Sequence, residues 1–325
     1  MQEETVLQSK IHPHQAGKSL LDFLCDRFRY QTRESWEDLI TRGKVTLNGE
    51  TAPSHAQLQK GDLVSYHVVL NEPPVDKNIQ ILHEEESFLM ASKPGQLPSH
   101  ADGNYIKNTF IYLITETLRA KGWKGEVRLV HRLDRETSGL MVVAKNKDAH
   151  LKLTRQFEQG LVSKEYLAIV RGQVGAETFE VQGAIGKDDS SSISIRQKVV
   201  PEGTPFSKVS VTKFEKLQDL KNGSLLRCLP QTGRTNQIRV HLTHAGHPLI
   251  GDKLYGRTDE EFLEFIHYVK AGGDPSFKER MEVPRHFLHA ARLSFDHPVT
   301  GKKISFEAPL PPDMKEFLVK TTLRM

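Results

Sequence analysis

The chain has 325 residues, 37% of them hydrophobic, enough for one large domain and one small domain, each around a buried core. No run approaches the roughly 18 apolar residues of a membrane span, and the opening MQEETVLQSK lacks a basic-then-apolar leader, so a soluble, cytoplasmic protein is expected. Its two cysteines, Cys25 and Cys228, exclude a disulfide framework, and a net charge of +4, concentrated beyond the slightly acidic first 75 residues, is compatible with a polyanionic partner.

Leu20, Leu21, Phe23 and Leu24 predict a first helix, and Trp36, Leu39 and Ile40 a second. Residues 44–47 alternate as a strand, Asn48-Gly49 is a type I′ turn, and residues 63–66 alternate again after Gly61-Asp62. Residues 71–78, opening on Asn71-Glu72-Pro73-Pro74, read as a linker between a small domain at 1–70 and a large one at 79–325. In the large domain, strand patterns fall at 79–82, 88–91, 140–144, 166–170, 209–214 and 224–228. Helical patterns fall at 108–119, at 147–158 before Gly160, and at 235–244 before Gly246, with Thr235 as the N-cap of the last. Residues 187–203, carrying three consecutive serines, read as an exposed loop or irregular hairpin. Several strands follow one another without intervening helices, which predicts an α+β fold with a mixed, mostly antiparallel sheet.

The densest chemical signal is Leu129-Val130-His131-Arg132-Leu133-Asp134-Arg135-Glu136-Thr137-Ser138-Gly139, directly ahead of an apolar strand. Loops entering strands are often charged, and a solvated turn is one reading. The other is a site, because Arg132 and Arg135 beside a carboxylate can hold it ionised and contact phosphate. A second signal runs from Gln231 to His241, where a helix would carry Arg239 either as a surface charge or pointing inward against a carboxylate.

These two segments resemble the HRLDxxTSGL and GRTHQIRVHL motifs of RluA-type pseudouridine synthases. Lys164-Glu165-Tyr166, Gly251-Asp252-Lys253-Leu254-Tyr255-Gly256 and Leu288-His289-Ala290 resemble further motifs in the family's order, and residues 1–70 resemble an S4 RNA-binding module. Two positions depart from the pattern: Asn236 stands where the family usually has histidine, and residues 93–100 differ from its KPxGLxVH. Residues 71–75, 81–85, 99–105 and 108–109 are similar to a branch acting on the tRNA anticodon arm and to relatives acting on large-subunit rRNA.

The resemblance implies an isomerase that converts chosen uridines of a structured RNA, rRNA or tRNA, to pseudouridine, without cofactor or metal. It implies Asp134 as the catalytic carboxylate, Arg239 as its cation, Tyr166 stacking on the uracil and Leu288 packing on it. Arg132 and His131 would fill the space left by a flipped nucleotide, while Arg234 and Lys93 would contact the RNA backbone. In the small domain Arg27, Arg29, Arg33, Arg42 and Lys44 would meet phosphates, although Glu34, Glu37 and Asp38 are interspersed. A monomer is expected.

Three rival readings are carried. A non-catalytic S4-type RNA-binding or assembly factor would not need Asp134. A metal enzyme would draw on His241, His244 and His247, but that spacing drifts around a helix. A base deaminase lacks its H-x-E and P-C-x-x-C signature here.

Overall fold

The structure is a computed structural model that describes residues 4–28, 31–69, 72–102, 105–270 and 282–322. Arg29, Asn71, Gly103 and Asn104, all used in the sequence reading, lie outside these residues. The chain divides into two compact units, Met1–Pro74 with His100–Asn108, and Val75–Ser99 with Thr109–Met325. The 100–108 segment, counted with the large domain in the sequence, thus folds with the small unit. Its backbone is tied there by Glu72, whose carboxylate accepts the N–H groups of Lys107 (2.7 Å) and Asn108 (2.6 Å).

The small unit comprises β1 (Glu4–Lys10), α1 (Leu20–Arg27), α2 (Arg33–Thr41), β2 (Val45–Leu47), β3 (Glu50–Thr51) and β4 (Leu63–Val69). Ser19 and Thr32 start the two helices by accepting N–H groups that have no partner in the first turn. The strands form an antiparallel sheet in the order β1-β4-β2-β3. Asn48 and Gly49 have φ of 55° and 91°, the left-handed pair that a type I′ turn requires. Leu20, Phe23, Leu24, Trp36, Val45 and Val64 fill the core.

The large unit contains β5 (Gln80–Glu84), β6 (Phe88–Lys93), α3 (Phe110–Ala120), β7 (Arg128–Leu129), β8 (Ser138–Ala144), α4 (Lys147–Glu158) and β9 (Ser163–Arg171). It continues through β10 (Thr178–Lys187), β11 (Gln197–Val200), β12 (Lys208–Leu220), β13 (Gly223–Pro230), α5 (Gln237–His244) and α6 (Asp259–Lys270). It ends with β14 (Leu288–Asp296), β15 (Lys303–Glu307) and α7 (Pro312–Thr321). The strands form one sheet in the order β11-β10-β12-β13-β9-β14-β8-β6-β5, with β15 beside β14 and β7 beside β8. Among the described residues, β14 and β8 run parallel and the other pairs antiparallel, so the class is α+β with a mixed, mostly antiparallel sheet.

The parallel join positions the site. Ser138 and Gly139 pair with His289 and Ala290, and a Cβ at Gly139 would come within 2.2 Å of the Ala290 carbonyl oxygen. With φ at 112° as well, only glycine lets the two backbones approach this closely. The turn carrying Asp134 is thereby set beside β14, while every residue of β8 is buried behind it.

Of the two readings of residues 187–203, the hairpin holds, because β11 pairs antiparallel with the end of β10 around residues 188–196. The start of α5 differs from the expectation. Thr235 is not the N-cap of α5: Asn236 is, in the left-handed region (φ 56°) and without a side-chain cap, since its amide is engaged elsewhere.

Candidate active site

A cavity of about 630 Å³ opens in the large unit, lined among others by His131, Arg132, Asp134, Lys164, Tyr166, Arg234, Asn236, Arg239 and Leu288. Three pieces of chain build it. The turn before β8 brings Asp134, the face of β9 that packs toward α5 brings Tyr166, and the first turns of α5 bring Arg239. The entry to α5 is fixed by Gln237, which accepts from Thr232 Oγ1 (2.7 Å) and Arg234 N (3.0 Å) and donates to Val211 O and Thr212 Oγ1 (both 3.0 Å). This buried amide pins the loop 232–236 against β12.

Arg239 points inward. Its Nη1 donates to Asp134 Oδ2 (3.0 Å) and to Asn236 Oδ1 (2.8 Å), and its Nε and Nη2 grip both oxygens of Asp252 (2.7 and 2.9 Å). Its guanidinium also lies 4.9 Å from the Tyr255 ring centroid. Asp252 has no exposed side-chain surface and receives the N–H groups of Leu254 (2.9 Å) and Tyr255 (3.0 Å) as well. Burial alone would raise the carboxyl pKa of Asp252, but Arg239 and the Tyr255 amide overcome it and hold the group well below the usual carboxylate range. For Arg239, burial works against the charge, and Asp252 followed by Asp134 more than offsets it. Asp134 itself keeps 29% of its side chain exposed, facing the cavity.

The backbone around Asp134 is held on both sides. Ser99 Oγ donates to Leu133 O (2.7 Å) and accepts from Leu133 N (3.1 Å), and Lys93 Nζ reaches Arg135 O (3.2 Å). Glu136 accepts from Lys253 Nζ and His286 N (both 2.9 Å), and Thr137 Oγ1 meets His286 Nε2 at 2.8 Å. The carboxylate is presented from a backbone with little freedom to move, which is the condition for electrostatic work without reorganisation.

Residues 87–244 match the model of the RNA pseudouridylate synthase family. The chain is 33% identical to ribosomal large subunit pseudouridine synthase D of Zymomonas mobilis, covering 87% of each chain. The chain belongs to the RNA pseudouridine synthase family. It is also 32% identical to ribosomal large subunit pseudouridine synthase C of Escherichia coli, over 94% of this chain and 93% of that protein. Human RNA pseudouridylate synthase domain containing 1 shares the fold with a TM-score of 0.58 and 26% identity, covering 77% of this chain and 91% of that one. The synthase is therefore an isomerase of the RluA type that acts on RNA, and the reading as an idle binding protein is not favoured.

In the synthase, Asp134, Tyr166, Arg239, Arg132, His131, Arg234 and Leu288 are brought to one cavity. Tyr166 is half-buried, and burial followed by the charge of Asp134 pushes its phenol pKa up, so the hydroxyl stays protonated. His131 serves the wall: its ring stacks on Phe157 at 4.5 Å, its Nε2 accepts from Val142 N (3.1 Å), and burial pushes its pKa down to about 3.

Lys93 does not fit the backbone contact expected of it. It is fully buried, and its Nζ donates to Pro94 O (2.9 Å), Leu97 O (2.8 Å) and Arg135 O, which occupies all three ammonium protons. In the small unit, Arg33 pairs with Asp22 (2.9 Å), Arg42 with Asp38 (3.1 Å), and Arg27 donates to Ser9 Oγ (3.2 Å). Lys44 lies at the start of the same hairpin as Val45, and Arg29 is outside the described residues. His241, His244 and His247 do not converge: His241 is turned between Ser210 (2.8 Å) and Thr212 (2.9 Å), and His247 faces Arg171 O (3.3 Å). Among the described residues no group of three or more His, Cys, Asp or Glu is arranged to hold a metal ion, and no helix is long and apolar enough to cross a membrane.

Asp252 was not singled out by the sequence reading, although its segment was. A lone acid next to glycine carries no local sign of its partner, which lies 13 residues back on a helix.

Proposed function

We propose that the chain converts uridines of large-subunit ribosomal RNA to pseudouridine, with Asp134 as the catalytic carboxylate. The observation that carries this reading is the ion triad in the cavity, where Arg239 is anchored by buried Asp252 and reaches Asp134 beside Tyr166 and Leu288. The ribosomal assignment is supported by the names of the relatives, and tRNA is the other outcome of the mapping experiment below. The reaction breaks the bond between ribose C1′ and N1 of uracil, turns the base and joins C5 to C1′. No atom is gained or lost, so no cofactor is invoked.

Positive charge develops at the sugar in the first step, and an ionised carboxylate beside it stabilises that charge, attacks C1′ or removes the 2′ proton. Tyr166 stacks on the uracil and Leu288 packs against it. The target nucleotide leaves its helix at a cost of a few kcal/mol, and Arg132 occupies the space it vacates. The enzyme acts as a cytoplasmic monomer. The small unit is read as an S4-like RNA-binding domain joined near residues 71–78, with Arg27, Arg33, Arg42 and Lys44 meeting phosphates.

The test is release of tritium from RNA carrying 5-tritiated uridine. Asp134→Asn abolishes release while RNA binding persists; undiminished release from the variant would refute the role given to Asp134. Mapping pseudouridine in total rRNA and tRNA with and without the gene identifies the RNA, and sites lost only from tRNA would overturn the ribosomal assignment.

A further inference from the structure

Lys164 and Tyr166 stand two residues apart on β9 and therefore share a face of the sheet. Both line the cavity, together with Arg234 from the loop ahead of α5. Lys164 is half-buried, and its Nζ donates to Thr232 O at 3.1 Å. Arg234 donates from Nε to Val209 O, also at 3.1 Å. An ammonium has three donors and a guanidinium five, so each keeps donors beyond these single carbonyl bonds.

Neither cation forms an ion pair with a carboxylate among the described residues. Glu158, which also lines the cavity, pairs with neither, and Glu165 beside Lys164 is taken by Arg227 (3.0 Å). The two cations sense each other: burial, then the charge of Arg234, pulls the Lys164 pKa down. The charge of Lys164 adds in turn to the burial that keeps His131 neutral. Like charges held together without a counterion are unfavourable in the empty cavity. Such a placement becomes favourable when an anion arrives.

We propose that Lys164 and Arg234 form a phosphate clasp in this cavity, taking one backbone phosphate of the RNA strand next to the nucleotide that enters it. A phosphodiester has two non-bridging oxygens; the lysine meets one as a point charge and the arginine fork meets the other. The contact reads backbone and not sequence, so it positions the strand without selecting the base. The clasp rests on the RNA reading given above, and it adds a reason for a lysine at 164 that the chemistry at Asp134 does not supply.

The experiment is filter binding of an unmodified large-subunit ribosomal RNA transcript between about 50 and 300 mM salt, with Lys164→Gln, Arg234→Gln and the double variant. Losing one phosphate contact lowers the slope of log K against log salt by about 0.7 for a single strand. The double variant is expected to lose that amount once and not twice, because both cations serve one phosphate. Lys164→Arg, which keeps the charge, retains the slope and guards against a loss that comes from misfolding. Lys320→Gln, at an exposed pair with Glu316, matches the unaltered protein. A double variant with the slope of the unaltered protein overturns the clasp. If the unaltered protein releases no tritium while the slope difference persists, the isomerase reading falls and the clasp stands.

Discussion

Replacing Asp252 by asparagine removes the negative charge that holds Arg239 while leaving the side-chain volume almost unchanged. In the native protein this carboxylate, without exposed surface, accepts two N–H groups from Arg239 and two from the backbone of Leu254 and Tyr255. Asparagine keeps one acceptor oxygen, and its NH2 would face an arginine N–H, donor against donor. Breaking a buried ion pair from one side costs about 3–5 kcal/mol, a large part of a total of roughly 5–15 kcal/mol. At about 2–4 °C per kcal/mol, the melting temperature should fall by roughly 6–20 °C. Well below that temperature the variant is folded, but Arg239 is no longer aimed at Asp134, and a displacement of about 1 Å costs on the order of 100-fold in rate. Circular dichroism gives the melting temperature and tritium release gives the rate. A variant that melts with the unaltered protein and releases tritium at the same rate would refute the anchoring role of Asp252.

Asn236→His tests the other hold on Arg239. A neutral imidazole accepts from Nη1, but a protonated one repels the guanidinium, so the kcat–pH profile gains an acid limb below about pH 6.5 that the unaltered protein lacks. The charged and titratable groups around that position are Asp134, Asp252, Arg239 and Tyr255; coincident profiles would contradict the reading. Acid stability is a second expectation. Burial pushes His131 down to about 3 and His241 and His289 to about 4, and it places His286 well below its ordinary value. Folded values lie below the unfolded value of about 6.5, so the stability they contribute is complete above that pH and is lost as pH falls toward the folded values. Each group then adds a slope of about 1.4 kcal/mol per pH unit, and melting temperature should drop steeply between about pH 6.5 and 4.5. His241→Gln should make that slope shallower; an unaltered slope would show that His241 is protonated in the folded protein.

What was legible in the sequence follows from what burial demands. The strands at 88–91 and 140–144 stand out because every residue of β8 and nearly every residue of β6 is buried, which leaves a continuous apolar run. The helix at 147–158 is bounded in sequence by Asn146, whose side chain accepts from Ala149 N (2.8 Å), and by Gly160. By contrast β10 carries two glycines, Gly183 and Gly186, and β11 is only four residues long, so the local pattern is weak and their pairing is set by a partner strand it does not name. Lys93 was expected at the RNA backbone only through the family resemblance, and nothing in the local sequence shows that it closes a buried strand whose end is knitted by the lysine itself. Asp134 was visible as a charged turn before a strand. Asp252 was not, because its meaning is entirely tertiary.

That tertiary meaning bears on how Asp134 works in the proposed reaction. Were Arg239 paired with Asp134 alone, the pair would be neutral, and little charge would be left to face a developing cation on the ribose. Arg239 instead gives its two-pronged grip to Asp252, which is fully buried, and only one Nη1 hydrogen bond to Asp134. Counting the three side chains, two carboxylates against one guanidinium leave the triad with a net charge of −1, and its most exposed member, Asp134, is the carboxylate that lines the cavity. The arginine thus orients the carboxylate while the buried aspartate absorbs most of the arginine's charge. In a site of low dielectric that residual charge, fixed in place by the bonds to residues 133, 135, 136 and 137, lowers the energy of a cationic sugar more than of a neutral one, which is the condition for accelerating the step.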